Sequence, residues 1–132
     1  MTPVVVDTDV VSFLFKNDSR ALLYLPLLLD RELLVSFMTE AELEQWILLA
    51  KWGMDRAQRF RGFMTGFASV PSSRDLILQW AEVMVAARAN GRRIEAADAW
   101  IAATALLYGA ALITHNPKDY LGVPNLRVLS CP

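Results

Sequence analysis

The chain has 132 residues, the size of one domain, and can bury about two thirds of its surface on folding. A net charge of −1 provides no overall positive field for nucleic acid, and the only cysteine, Cys131, excludes an internal disulfide. No basic segment precedes Asp7, and the apolar run Leu22–Leu29 is too short to span a bilayer. We therefore expect a cytoplasmic protein with no membrane association.

Short apolar runs alternate with helical patterns along the chain. Val4–Val6 is fully apolar and β-branched, which is typical of a strand buried on both faces of a parallel sheet. Thr8 or Asp9 is a candidate cap for a first helix, Val10–Lys16. The remaining predicted elements are a helix to about Leu29 capped by Asp18 or Ser19, strand Leu33–Ser36, a helix from Thr39 to about Trp52, helix Asp55–Phe67, strand Ala68–Val70, a helix from Arg74 to about Ala89 capped by Ser72 or Ser73, helix Glu95–Tyr108, strand Leu112–Ile113 and strand Arg127–Leu129.

This alternation of strands and helices predicts an α/β fold. We expect a central, mainly parallel sheet with helices on both faces. No linker, repeat or low-complexity tract interrupts the pattern, so residues 1–132 are expected to form one domain. In open α/β sheets, functional sites lie outside the carboxyl ends of the strands.

Four acidic residues are predicted to meet at that edge. Asp7 ends the first apolar run, and Glu42 lies early in the helix after the second strand. Asp98 lies near the start of its helix, and Asp119 follows strand Leu112–Ile113. Two carboxylates held about 4 Å apart repel each other by about 4 kcal/mol at an effective dielectric of about 20. A protein keeps such a cluster mainly to hold a divalent cation, and oxygen-only ligands favour Mg²⁺ or Mn²⁺.

The second acid is left open between Glu42 and Glu40. The apolar stripe of this helix consists of Leu43, Trp46, Ile47 and Ala50. Helical geometry places Glu40 nearer to this stripe than Glu42. Glu42 also lies three residues after Thr39, the capping-box spacing, so its role could be structural.

The other acids have structural alternatives as well. Asp7 could cap the first helix, Asp98 could be a first-turn acid favoured by the helix dipole, and Asp119 could be an ordinary turn residue. His115 is the only histidine, and it has no evident serine or cysteine partner. Catalysis by His115 is therefore not expected.

Four separated segments together resemble the PIN-domain ribonucleases of the VapC toxin type. The segments are Val6–Val10, Ala41–Leu43, Asp98–Leu106 and Thr114–Tyr120. None of them is specific alone, but their order and spacing extend over nearly the full length. The resemblance implies a three-layer PIN-like fold and metal-dependent endonucleolytic cleavage of RNA. It also implies a cognate antitoxin protein as a partner, as in a type II toxin–antitoxin pair.

The resemblance also implies which residues form the site. The metal-binding and catalytic acids would be Asp7, Glu42, Asp98 and Asp119, with Mg²⁺ or Mn²⁺ as the cofactor. The site-supporting residues would be Thr8, Asp9, Thr114 and Asn116. Glu followed by Leu is the family pattern, which favours Glu42 over Glu40. Position 9 is commonly Asn in the family, so Asp9 either adds negative charge to the site or caps the helix.

Two other functions are compatible with the same residues. One is a catalytically silent α/β module that binds a protein or RNA through the same groove, and the other is a metal-dependent phosphatase. Intact acids at all four positions argue against the silent module. Two arginine clusters are either local nucleic-acid surfaces or solvated helix faces: Arg56, Arg59 and Arg61, and Arg88, Arg92 and Arg93.

The apolar content also predicts self-association. Hydrophobic residues make up 55% of the chain, more than a domain of this size is expected to bury. Leu22–Leu29 and Phe60–Phe67 are the candidate surplus. A two-fold dimer is the commonest way to bury such residues.

Overall fold

The computed structural model describes all 132 residues and contains five strands and six α-helices. In chain order the elements are β1 Thr2–Val6, α1 Thr8–Lys16, α2 Ala21–Leu28, β2 Arg31–Ser36, α3 Phe37–Leu49, α4 Met54–Met64, β3 Ala68–Val70, α5 Arg74–Ala89, α6 Ala96–Leu107, β4 Ala111–Ile113, the 3₁₀ helix Pro117–Tyr120 and β5 Val128–Leu129. No helix is both long enough and apolar enough to cross a membrane.

The five strands form one sheet in the order β3-β2-β1-β4-β5, and every neighbouring pair is parallel. β1 lies at the centre, with Val4 opposite Leu33 of β2 and Ala111 of β4. The carboxyl ends of all strands therefore meet at one edge of the sheet. The predicted parallel α/β fold is confirmed.

Helices cover both faces of the sheet, which gives three layers. Val5 points to a core that includes residues of α5 and α6. Val4 and Val6 point to the opposite core, which includes residues of α1, α2, α3 and α4. Because both faces are buried, β1 has no polar face, and this explains its continuous run of valines.

Thr8 and Asp9 were wrong as candidate caps of the first helix, whereas the alternative that Asp7 caps it is confirmed. The helix begins at Thr8, two residues before the predicted start, and Asp7 is its N-cap. The Asp7 side chain accepts a hydrogen bond from the Thr8 N–H, so neither Thr8 nor Asp9 has this role. For α2, the Asp18 carboxylate accepts a hydrogen bond from the Arg20 N–H, but no side chain caps the first turn of the helix itself.

The predicted start of the third helix was also wrong. α3 begins at Phe37, because Ser36 at the end of β2 caps it through a 3.0 Å hydrogen bond from the Met38 N–H. Thr39 is therefore inside the helix, where it is fully buried, and it forms no capping box with Glu42. The helix ends at Leu49 rather than near Trp52.

The fourth helix is shorter than predicted, and its phenylalanines are not surplus. α4 ends at Met64, and Phe60 is only 1% exposed. Phe63 lies between Phe60 and Phe67, within aromatic contact of both. The prediction that the Phe60–Phe67 segment is surplus apolar surface for a dimer was wrong, because its aromatic residues pack against the core of their own chain.

The observed bounds of the last two long helices agree closely with the predicted bounds. Ser73 caps α5 by accepting a hydrogen bond from the Leu76 N–H at 3.1 Å. α6 begins one residue after its predicted start, with Glu95 as N-cap, and this places Asp98 in the first turn. The first turn of α6 is thereby held at the carboxyl edge of the sheet.

Candidate active site

An open cleft of about 350 Å³ lies at the carboxyl edge of the sheet. Five carboxylates line it, and the structure brings together all four of the predicted acids together with Asp9. The other lining residues are Thr8, Ser12, Lys16, Leu43, Trp46 and Asn116. The catalytic role of the acids stays a prediction, whereas their convergence on one cleft is a feature of the structure.

Asp7 is the most buried of the acids, with 7% of its surface exposed. Its Oδ1 accepts a hydrogen bond from the Thr8 N–H at 2.7 Å. Its Oδ2 accepts hydrogen bonds from the hydroxyls of Thr114 and Tyr120, both at 2.8 Å. Burial and, secondarily, the charge of Asp9 raise the pKa of Asp7 to about 7, although the three hydrogen bonds favour the carboxylate.

Tyr120 is a site residue that the sequence interpretation missed. Its hydroxyl bonds to Asp7 and lies 3.5 Å from Asp98 Oδ1, so it lies between the two acids. Burial and the neighbouring Asp7 and Asp98 carboxylates raise the pKa of Tyr120 far above its usual value, so the phenol keeps its proton. A buried tyrosine needs a hydrogen-bond partner for its hydroxyl. The position of Tyr120 directly after the predicted acid Asp119 could have indicated that it belongs to the site.

The charges of three other acids, Asp119, Glu42 and Glu95, act on Asp98. It is half-buried in the first turn of α6, where burial, followed by the charges of Asp119 and Glu42, raises the pKa of Asp98 to about 6. These acids come from three separate segments, and no basic group pairs with Asp98. The repulsion that the sequence predicted is therefore present in the folded chain.

Glu42, rather than Glu40, faces the cleft. Its Oε1 accepts a hydrogen bond from the Thr8 hydroxyl at 2.8 Å, and that hydroxyl lies 3.0 Å from the Thr39 hydroxyl. Glu40 is exposed and lines a different surface beside Phe60 of α4. The expectation that Glu40 lies nearer to the buried side was wrong, because α1 covers the Glu42 side of the helix.

Asp9 secures the segment that follows β4. Its Oδ2 accepts hydrogen bonds from the His115 N–H at 3.1 Å and from Asn116 Nδ2 at 2.8 Å. The Thr114 hydroxyl in turn accepts from the Asn116 N–H at 3.1 Å while it donates to Asp7. Asp9 therefore joins α1 to this segment and also adds a negative charge to the cleft, since it lines the cleft beside the four acids.

The His115 side chain contacts Tyr24 and Phe13. Its Nδ1 forms a hydrogen bond with the hydroxyl of Tyr24, which is fully buried, and its ring packs edge-on against Phe13. It does not line the cleft. The expectation that His115 has no catalytic role stays a prediction.

The donors of the cleft suit a hard divalent cation. They are carboxylate, hydroxyl and amide oxygens, which Mg²⁺ and Mn²⁺ prefer, and no thiol or imidazole is among them. No three acidic, histidine or cysteine side chains are placed so that they could together hold a metal ion. An open cleft with few direct ligands is compatible with Mg²⁺, which keeps several of its waters when it binds.

The comparisons with known proteins agree with this geometry. The model of the PIN domain matches residues 4–121. The chain belongs to the PIN-domain family. Ribonuclease VapC4 of Mycobacterium tuberculosis is 31% identical over 98 residues, which are 73% of this chain and 75% of that protein. The predicted resemblance to the VapC type is thereby confirmed.

Solved structures share the fold over nearly the whole chain. VapBC2 from Rickettsia felis, bound to a DNA fragment from its promoter, has a TM-score of 0.87 at 20% identity and covers 99% of this chain and 100% of its own. VapBC-5 from Mycobacterium tuberculosis, a member of the VapBC family of toxin–antitoxin systems, has a TM-score of 0.71 at 26% identity, with 98% of each chain covered.

Proposed function

We propose that the protein is a Mg²⁺- or Mn²⁺-dependent endoribonuclease, the toxin of a type II toxin–antitoxin pair. The observation that carries this proposal is the convergence of four acids from four separate segments of a PIN-domain chain on one open cleft. The relative named ribonuclease VapC4 supports the activity. The acids are Asp7, Glu42, Asp98 and Asp119.

Each acid has a role that its surroundings support. Asp7 and Asp98 would make the central metal contacts, because both lie at Tyr120, whose hydroxyl donates to Asp7 and is 3.5 Å from Asp98 Oδ1. Glu42 would orient the attacking water, since the Thr8 hydroxyl holds its Oε1 and leaves Oε2 without a protein partner. Asp119 is exposed on the 3₁₀ helix and would share this role.

A bound Mg²⁺ or Mn²⁺ would lower the pKa of a water molecule and stabilise the anionic oxygens that develop at the phosphate. The protein's part is to keep the acids in place before RNA arrives. Three donors fix Asp7, and Asp9 fixes the segment that leads to Asp119. The cleft is open, which allows a polynucleotide strand to lie across it.

The test is cleavage of single-stranded RNA by the purified protein. Cleavage with Mg²⁺ or Mn²⁺, its loss in excess EDTA, and no hydrolysis of a phosphomonoester are the expected results. Full activity in EDTA would reject the metal mechanism. Hydrolysis of the phosphomonoester alone would favour a phosphatase, and RNA binding without cleavage would favour a silent module.

We further propose a cognate antitoxin that covers the acidic cleft. The support is the similarity to VapBC complexes together with the surplus of negative charge, which an arginine side chain would neutralise in competition with the metal. RNA substrate and antitoxin both imply a cytoplasmic protein. An antitoxin that inhibits the protein without contacting the cleft would contradict this part of the proposal.

The exposed face of α2 supports a homodimer. Leu22 and Leu29 are 70% and 67% exposed, and Leu23 and Leu25 are 45% and 40% exposed. Four exposed leucines on one eight-residue helix and its end form an apolar patch that two-fold pairing would cover. Light scattering should give about twice the monomer mass, and a monomer at tens of micromolar would contradict the dimer.

A further inference from the structure

The acidic cleft continues into a groove between α1 and α3. At the acidic end, the Thr8 hydroxyl of α1 contacts Glu42 of α3. At the far end, Lys16 of α1 lies over the ring of Trp46 of α3. Thr8 and Lys16 are eight residues apart, which corresponds to about 12 Å along a helix. The groove therefore extends away from the acids for more than one nucleotide.

Lys16 is the only basic side chain that lines the cleft. Its Nζ is 4.4 Å from the centroid of the Trp46 ring, and no carboxylate oxygen lies within 4.0 Å of it. Cation–π contacts also occur between Arg20 and Phe13 and between Arg56 and Trp52, but neither pair lines the cleft. Of the three cation–π contacts, only that between Lys16 and Trp46 lies beside the acids.

Trp46 is the main apolar surface that the cleft offers. The other apolar lining residue, Leu43, is only 2% exposed, whereas Trp46 is half-buried. The Trp46 ring packs edge-to-face on Trp52 with their centroids 4.7 Å apart, which fixes its orientation. A fixed aromatic ring beside a cation is the combination by which proteins bind single-stranded nucleic acid without reading its sequence.

We propose that Lys16 and Trp46 form a subsite for the RNA strand on one side of the scissile phosphodiester. Trp46 stacks on a base, and Lys16, displaced from the ring by that base, contacts a neighbouring phosphate. This inference rests on the proposed ribonuclease function. The subsite contributes affinity and positions the strand, because every base has a face that can stack.

Binding to two RNA probes separates stacking from phosphate contact. Both are labelled single strands of equal length, one of mixed sequence and one with an abasic backbone. Affinities are measured by fluorescence anisotropy with Mg²⁺ in an Asp98→Asn background, in which we expect RNA cleavage to be at least about 100-fold slower. Trp46→Leu should weaken binding of the mixed-sequence probe by about 5- to 150-fold and leave binding of the abasic probe unchanged. Trp46→Phe, which keeps an aromatic ring, should retain most of the affinity.

Lys16 is tested by the salt dependence of the same binding. Lys16→Gln should weaken both probes alike and lower the slope of log affinity against log salt by about 0.7, the value for one phosphate contact with a single strand. Lys16 is exposed, so this variant keeps its fold. Lys51→Gln, at an exposed lysine after α3 and outside the cleft, is the matched control and should change neither affinity nor slope.

The outcomes that overturn the inference are distinct. If Trp46→Leu loses the same affinity for both probes, stacking is excluded. If Lys16→Gln leaves the salt slope unchanged, the phosphate contact is excluded. Variants that bind RNA normally but lose a protein partner would assign the groove to that partner instead. If the wild type cleaves RNA and both variants bind it normally, only this inference fails. If the wild type cleaves no RNA, both the proposed function and this inference fail.

Discussion

The Tyr120 hydroxyl donates a 2.8 Å hydrogen bond to Oδ2 of Asp7. The two residues are 113 positions apart in sequence, and the bond connects the end of β1 to the 3₁₀ helix that also carries Asp119. Asp7 is therefore held by fixed donors from two segments before any cation binds. A buried carboxylate with such support keeps one geometry, which a metal site requires.

Tyr120→Phe tests this support with little change in packing. Above the pKa of Asp7, loss of one hydrogen bond to a buried carboxylate should lower the free energy of unfolding by about 1.5–3 kcal/mol. The variant should also need more Mg²⁺ for half-maximal cleavage, because Asp7 is less well oriented. Urea unfolding in EDTA and a Mg²⁺ titration of activity are the measurements. Tyr108→Phe, at a tyrosine that is 49% exposed, should match the wild type in both.

A matched pair of glutamates tests the choice of the second acid. Glu42→Gln should reduce cleavage by about 100-fold or more, because Gln keeps the bond from Thr8 but cannot orient and deprotonate a water as a carboxylate does. Glu40 lies on the same helix but outside the cleft, so Glu40→Gln should keep wild-type activity. Loss of activity in Glu40→Gln with wild-type activity in Glu42→Gln would instead identify Glu40 as the second acid.

The metal-free protein should lose stability as the pH rises from about 4 to 7. Folding raises the pKa of Asp7 from 3.8 to about 7, so in this window the folded chain holds a proton that the unfolded chain has released. The unfolding free energy therefore falls with increasing pH, by at most about 4 kcal/mol from Asp7. The raised pKa of Asp98 acts in the same direction.

Urea unfolding across this range in EDTA measures the effect. Asp7→Asn has no carboxylate to titrate, so it should show a shallower decrease than the wild type. Stability that rises with pH throughout this window would contradict the raised pKa of Asp7.

Local patterns were sufficient to predict the sheet and the convergence of the acids. The valines of β1 indicated a strand buried on both faces, and its parallel neighbours placed Asp7 and the start of α6 at one edge. Ser73, one of the two predicted candidates, is the cap of α5, because a serine directly before a helical pattern needs only local geometry to cap it. These features depend on neighbours in the sequence.

Features that depend on how helices pack were not predictable in this way. Ser36 replaced Thr39 as the cap of α3 because β2 ends directly at the helix. The contact of Thr8 with Glu42, and of Lys16 with Trp46, requires that α1 and α3 lie side by side. Tyr120 was overlooked since its partner, Asp7, is at the other end of the chain.

The rate of RNA cleavage by Asp98→Asn in Mg²⁺ tests the central claim most directly. Asp98 has a single long contact with Tyr120, so an amide there should leave the fold intact and relieve repulsion from Asp119 and Glu42. We predict at least about 100-fold slower cleavage, since loss of a metal contact removes several kcal/mol of transition-state stabilisation. The melting temperature in EDTA should equal or exceed that of the wild type. Cleavage at the wild-type rate would contradict the assignment of the acidic cleft as the active site.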